Sequence, residues 1–97
     1  MHNYYVYIVT NKNKVVLYIG VTNDLKRRLF EHKENADNDK IHFTGKYKAY
    51  YLIYWEQFDS IEQAIAREKE LKGWNRKKKI QLITAFNPDW VFLNEEI

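Results

Sequence analysis

The chain has no cysteine, a single proline and only three glycines. Without cysteine, disulfides, thiolate metal sites and cysteine nucleophiles are all excluded, and the composition suits a reducing compartment, so the cytoplasm is the expected location. No stretch approaches the ~18 apolar residues of a membrane-spanning helix, and the opening Met1-His2-Asn3-Tyr4-Tyr5 is neither basic nor long and apolar. No membrane association is expected. Internal repeats and linkers are also lacking. What remains is 97 residues with 45% hydrophobic content, enough for one domain over residues 1–97 that buries roughly 60–65% of its unfolded surface.

Net charge is small but unevenly placed. The formal value is +3, yet Lys26, Arg27, Arg28 and Lys33 form one basic group and Lys69, Lys72, Arg76, Lys77, Lys78 and Lys79 a second. Acids gather between Glu34 and Asp39 and between Asp89 and Glu96. Two basic patches point to a polyanionic partner, with nucleic acid first among them. Glu62, Glu68 and Glu70 intersperse the second group, so an ordinary solvated helix face accounts for the same pattern.

Tyr4 to Thr10 is aromatic and β-branched, Asn11-Lys12-Asn13-Lys14 is turn-like, and Val15 to Ile19 is β-branched and apolar again, a hairpin whose second strand Gly20 closes. A turn centred on Lys12-Asn13 sets Tyr7 directly opposite Tyr18, with Cβ atoms ~5 Å apart. The pair is either two phenols sharing a site or an ordinary aromatic cross-strand contact. Thr22 or Asn23 then caps a helix, with Asp24 in its first turn, that runs to about Lys33. Leu25, Arg28, Leu29 and His32 fall at i, i+3, i+4 and i+7, so an arginine and a histidine occupy the stripe that faces the core. A lone histidine there is commonly structural; a guanidinium and an imidazole one turn apart also fit a functional pair.

Glu34 to Lys48 reads as a polar binding or gating loop. Ala49 to Trp55 reads as a strand apolar on both faces, hence central in the sheet and covered on both sides. Ser60 and Gln63 resemble a capping box, and Ile61, Ala64, Ile65, Glu68 and Leu71 mark a helical stripe that Gly73 ends. A carboxylate on that stripe must be paired, protonated or bound to a cation, because isolated burial of its charge is too costly. Lys72, one turn on, offers a local ion pair; a metal ion is the other partner. Asn75 caps a last helix from Arg76 to about Phe86, which Asn87-Pro88 stops. The order β-β-α-β-α-α predicts an α+β domain, a small and mainly antiparallel three-stranded sheet flanked by helices.

Tyr5-Val6-Tyr7, followed about ten residues later by Tyr18-Ile19-Gly20, resembles the two short motifs that name the GIY-YIG endonuclease superfamily. In that family the second motif leads into a helix with an arginine ten residues after its tyrosine, here Arg28, often with a histidine one turn later, here His32. A glutamate on a later helix is the family's metal ligand. The run Ala66-Arg67-Glu68-Lys69-Glu70-Leu71-Lys72-Gly73-Trp74 looks like that segment in its small stand-alone bacterial members. The resemblance spans roughly Tyr4 to Pro88 and is similar also to the catalytic domain of the incision subunit of DNA excision repair. It selects the same residues that periodicity finds oddly placed. The first motif lacks its glycine, the lysine that some relatives carry after the second motif is Val21 here, and neither Asn75 nor Asn87 is a secure counterpart of an asparagine found late in some family sites.

The resemblance implies a divalent-metal-dependent endonuclease acting on nucleic acid, DNA before RNA. Glu68 would hold one Mg²⁺ or Mn²⁺ and Arg28 the scissile phosphate. Tyr7 would activate water, Tyr18 would orient water or phosphate, and His32 would either take a proton or hydrogen-bond to Tyr7. Lys26, Arg27, Lys69, Lys72, Arg76, Lys77 and Lys78 would hold flanking phosphates, the chain being either a structure-preferring or weakly specific nuclease or a catalytic module that a protein partner places. The competing readings are a non-catalytic nucleic-acid-binding module on the same fold and a protein-docking module built on Trp55, Trp74 and Trp90.

Overall fold

Val6 and Ile8 alternate with Tyr7 and Val9 along the first strand, and that period of two divides the molecule into two apolar layers, one on each side of the sheet. The structure, a computed structural model, describes residues 3–38 and 46–97. Its elements are β1 (Tyr4–Thr10), β2 (Leu17–Thr22), α1 (Leu25–Asn38), β3 (Tyr51–Phe58), α2 (Ile61–Gly73), α3 (Arg76–Phe86) and a 3₁₀ turn at Asn94–Glu96. The three strands are antiparallel in the order β2-β1-β3, the α+β class that the sequence predicts. On one face Val6, Ile8, Ile19, Ile53 and Tyr54 pack with Ala64 and Leu71 of α2 and Ile83 of α3. On the other, Tyr7, Val9 and Leu52 pack with Leu25 and Leu29 of α1 and with Leu93. Among the described residues no helix is long and apolar enough to cross a membrane.

Several boundaries differ from the sequence reading. Thr10 pairs with Leu17, so the hairpin loop covers residues 11–16 and Tyr7 faces Gly20, while Tyr18 faces Val9. Tyr7 and Tyr18 are therefore diagonal neighbours and not direct partners. The cause is Asn11, whose Oδ1 accepts the N–H groups of Val15 (2.8 Å) and Val16 (3.3 Å), holding both in the loop. Lys14 adds a left-handed residue at φ 59°. Pairing is thereby displaced along β2, which continues past Gly20 to Thr22.

Asp24, and neither Thr22 nor Asn23, caps α1: its Oδ1 accepts the Arg27 N–H at 3.0 Å. The helix runs past Lys33 to Asn38 because no glycine or proline interrupts that polar stretch. Of the expected loop, residues 34–38 are thus helical and 39–45 lie outside the described residues.

β3 is an edge strand, contrary to the central place its hydrophobicity suggests; β1 is central. Both faces of β3 are nonetheless covered, because a bulge skips Ile53 and directs Ile53 and Tyr54 into the same layer while Leu52 enters the other. Its outer edge is closed by the C-terminal segment. Leu93 N–H donates to the Leu52 carbonyl (2.7 Å), Asn94 Oδ1 accepts from Leu52 N–H (2.8 Å), Asn94 Nδ2 donates to the Tyr50 carbonyl (2.9 Å), and buried Asn87 donates to the Ile53 carbonyl (3.1 Å). The caps Ser60 and Asn75 stand where the sequence places them, each accepting a backbone N–H in the first turn.

Candidate active site

Tyr7 lies in the middle of the central strand, on the α1 side, and is 1% exposed. Its ring leans across β2 at the one position that has no side chain. A Cβ built on Gly20 would stand 2.5 Å from Tyr7 Cζ and 2.9 Å from Cε1 and closer still to the hydroxyl. The glycine of the second motif is thus the seat of the first motif's tyrosine, a role that sequence reading missed by treating Gly20 as a strand end.

The inward stripe of α1 brings His32 to the same point, 1% exposed, with Nε2 2.8 Å from the Tyr7 hydroxyl. Tyr18 completes a triangle of rings, with centroids 6.5 Å from Tyr7 and 5.7 Å from His32, Tyr7 and His32 being 5.8 Å apart. Arg28, one turn before His32, is near enough to lower the Tyr7 phenol and hydrogen-bonds to Glu31 at 3.4 Å, with about a third of its side chain exposed. α2 packs across β1 and β2, and Glu68 on it is near enough for its charge to act on Tyr7. Glu68 is mostly buried and paired with Lys72 at 3.4 Å. The neighbouring Arg67 anchors α2 to β3 by donating to Glu56 at 2.9 Å and bonds to Glu70 at 2.6 Å along its own helix, which fixes the backbone that carries Glu68.

Electrostatics at this junction are opposed. Burial pushes the Tyr7 phenol up to about 12, and the charges of Tyr18 and Glu68 push the same way, while the Arg28 guanidinium pulls it down. Burial first, and then the Arg28 charge, lower His32 to about 4, so the imidazole is neutral at pH 7. Its Nδ1 is buried without a partner. An orphaned acceptor is more common in folded proteins than an orphaned N–H, which favours the tautomer with hydrogen on Nε2, donating to Tyr7.

The His32 shift predicts a pH dependence of folding. The folded pKa lies below the ordinary 6.5, so the unfolded chain binds the extra proton first as pH falls. Stability should be complete above pH 6.5 and decline towards pH 4 by up to about 3 kcal/mol, at ~1.36 kcal/mol per pH unit. Urea unfolding from pH 4 to 7 measures it. His32→Gln should flatten the profile, and equal slopes in both proteins contradict the assignment.

The basic residues are used differently from one another. Lys72 pairs with Glu68, Lys78 sits 4.1 Å over the Trp74 ring, and Arg76 donates to the Val15 carbonyl. Lys26, Arg27, Lys69 and Lys77 are exposed. Asn75 is a helix cap and Asn87 holds β3, so both have structural work.

Among the described residues no three His, Asp or Glu side chains converge into an all-protein metal cage. A lone carboxylate matches Mg²⁺, which is typically held by one or two carboxylates and keeps its own waters. Glu68 fits that requirement.

The family model of the GIY-YIG catalytic domain matches residues 3–81. A UPF0213 protein of Staphylococcus saprophyticus is 36% identical over 84 residues, covering 87% of this chain and 98% of that protein. One from Haloquadratum walsbyi is 40% identical over 83 residues, covering 84% and 89%. The solution structure of a UPF0213 protein from Bacillus halodurans superposes with a TM-score of 0.56 at 31% identity, covering 91% of this chain and 89% of that one. With its two tyrosine motifs meeting over Gly20 on adjacent strands, the chain belongs to the GIY-YIG catalytic domain family.

Proposed function

We propose that this protein is a divalent-metal-dependent endonuclease that hydrolyses phosphodiester bonds in nucleic acid, DNA before RNA, through Tyr7, Tyr18, Arg28, His32 and Glu68. The observation that carries the reading is the buried Tyr7 hydroxyl, on which His32, Arg28 and the charge of Glu68 all act.

Hydrolysis needs a deprotonated water in line with the leaving oxygen and positive charge on the phosphoryl oxygens. Tyr7 as phenolate is the base that takes the water's proton. His32, lowered to about 4, is too weak a base to share that task and acts as a hydrogen-bond donor. With Nε2–H donating to the Tyr7 oxygen and the Arg28 guanidinium beside it, both favour the ionised form against burial. Arg28 can also turn its planar donor fork to the phosphate. Its contact with Glu31 is a partly exposed ion pair of the kind contributing ~0–1 kcal/mol, which a phosphate readily displaces. Tyr18, beside both rings, orients water or phosphate. Glu68 would hold Mg²⁺ or Mn²⁺ in place of its Lys72 contact. When bound, the ion supplies charge stabilisation to the phosphate and offsets the repulsion that Glu68 imposes on a Tyr7 phenolate.

Labelled single-stranded, duplex, flapped and branched DNA and RNA, incubated with Mg²⁺, Mn²⁺ or EDTA, test the reading. Cutting should require the metal, and Glu68→Gln should raise the metal concentration at half-maximal rate by about 10–100-fold, as expected when ligation is weakened. Salt-sensitive binding with no cutting under any condition would instead make the protein a binding module on a nuclease fold.

A further inference from the structure

Where β1 runs out into the hairpin loop, that loop and the residues leading into β3 enclose a groove of about 430 Å³, within the ~300–1,000 Å³ common for ligand sites. Lys12, Tyr47, Lys48, Tyr50 and Tyr51 line it together with loop asparagines, and among the described residues none of its lining is acidic. The rings are ordered. Tyr50 stacks on Tyr51 (4.5 Å, 30°) and Tyr51 on Phe92 (4.3 Å, 25°). Lys14 Nζ lies 5.2 Å over Phe92, and Lys46 Nζ lies 5.4 Å over Tyr47, whose side chain is 41% exposed.

The groove therefore combines a column of aromatic rings with Lys12, Lys14, Lys46 and Lys48. Packing accounts for Tyr51, which rests on Phe92 at the edge of the core. It does not account for two lysines lining one concavity with two more set over neighbouring rings, whose mutual repulsion favours an anionic occupant. Stacking surfaces bordered by cations suit unpaired nucleotides, whose bases cover the rings while their phosphates meet the lysines. A duplex keeps its bases stacked internally, and an acidic peptide has no use for the rings.

We propose that this groove binds a single-stranded segment of nucleic acid, with its stacking rings and lysines lying outside the residues of the candidate active site. Binding in the groove does not rest on the nuclease reading.

Fluorescence anisotropy with a labelled oligothymidylate of about 15 nucleotides, near the upper site size of a single-strand-binding fold, and with a duplex of equal length, tests the groove directly. Lys12 and Tyr47 are both exposed, so Lys12→Glu and Tyr47→Ala leave the core intact. Each should weaken single-strand binding by roughly tenfold, within the ~1–3 kcal/mol range for a lost base stack. Tyr47→Phe should bind as wild type does, and duplex affinity should change less than about twofold in every variant. Equal losses on single strand and duplex, no loss at all, or displacement of the oligonucleotide by polyglutamate at matched charge would each overturn the proposal. On a flapped duplex with Mn²⁺, the variants should raise KM with kcat unchanged. Wild-type protein that cuts nothing defeats the nuclease reading, and the anisotropy result still decides the groove.

Discussion

Tyr7→Phe should cut nucleic acid about 10³-fold more slowly than wild type, in the middle of the ~10²–10⁴ range for loss of a general base, while binding substrate with unchanged affinity. The ring that fills the space over Gly20 is preserved; only the oxygen that His32 contacts and Arg28 acts on is removed. Wild-type enzyme should carry its own signature. With the phenol pushed up to about 12, roughly one molecule in 10⁴ is a phenolate at pH 8, so the rate should climb nearly tenfold per pH unit above neutrality. Tyr7→Phe should lose that slope. The variant should also be less stable by about 1–3 kcal/mol, because His32 would then have neither ring nitrogen hydrogen-bonded in a buried setting. A variant that cuts within a few-fold of wild type, with the same pH profile, would remove Tyr7 from the chemistry.

Gly20→Ala should lose on the order of 10²-fold in cleavage, the scale of a ~1 Å misplacement of a reacting group, and about 1–3 kcal/mol of stability from overpacking. The added Cβ overlaps Cζ and Cε1 of Tyr7 as well as its hydroxyl, so trimming the oxygen does not make room. Neither neighbour yields easily: Tyr7 is on the central strand and 1% exposed, and β2 is held to it by the hairpin register. Backbone strain is not involved, since Gly20 does not have positive φ. Combining Gly20→Ala with Tyr7→Leu should recover much of the stability and none of the activity, which separates crowding from catalysis. Urea unfolding and single-turnover cleavage measure the two effects. Wild-type values in Gly20→Ala would mean that the ring moves aside without consequence.

The parts of this molecule legible from sequence are those governed by local rules. Ser60 and Asn75 cap α2 and α3 as expected, Gly73 ends one helix and Asn87-Pro88 follows the other, because capping depends on a few adjacent residues. The inward placement of Arg28 and His32 followed from helical period alone. Register was not legible: the turn chemistry of Asn11, which holds Val15 and Val16 out of β2, moves every pair along the hairpin and leaves Tyr18 diagonal to Tyr7. The edge position of β3 was hidden because its hydrophobicity reports coverage, and that coverage comes from a bulge and from residues far along the chain. The bond between Arg67 and Glu56 spans 11 residues and has no signature at all. The same holds for the seat that Gly20 provides.

The amide clasp on β3 has a consequence for how molecules of this protein meet one another. A small sheet has two margins, and a bare strand at either one is a template on which another chain can add by backbone pairing. At the start of β3 the polar groups of residues 50, 52 and 53 are taken by Asn87, Leu93 and Asn94, so a visiting strand finds no ladder to extend there. Because two side-chain amides and one backbone N–H do this in place of a further strand, this end of the margin is closed without creating a new one beyond it. Losing Asn87 or Asn94 should therefore bare this stretch of edge to other chains as well as cost about 1–3 kcal/mol for the buried groups left unpaired, which light scattering and urea unfolding would read separately.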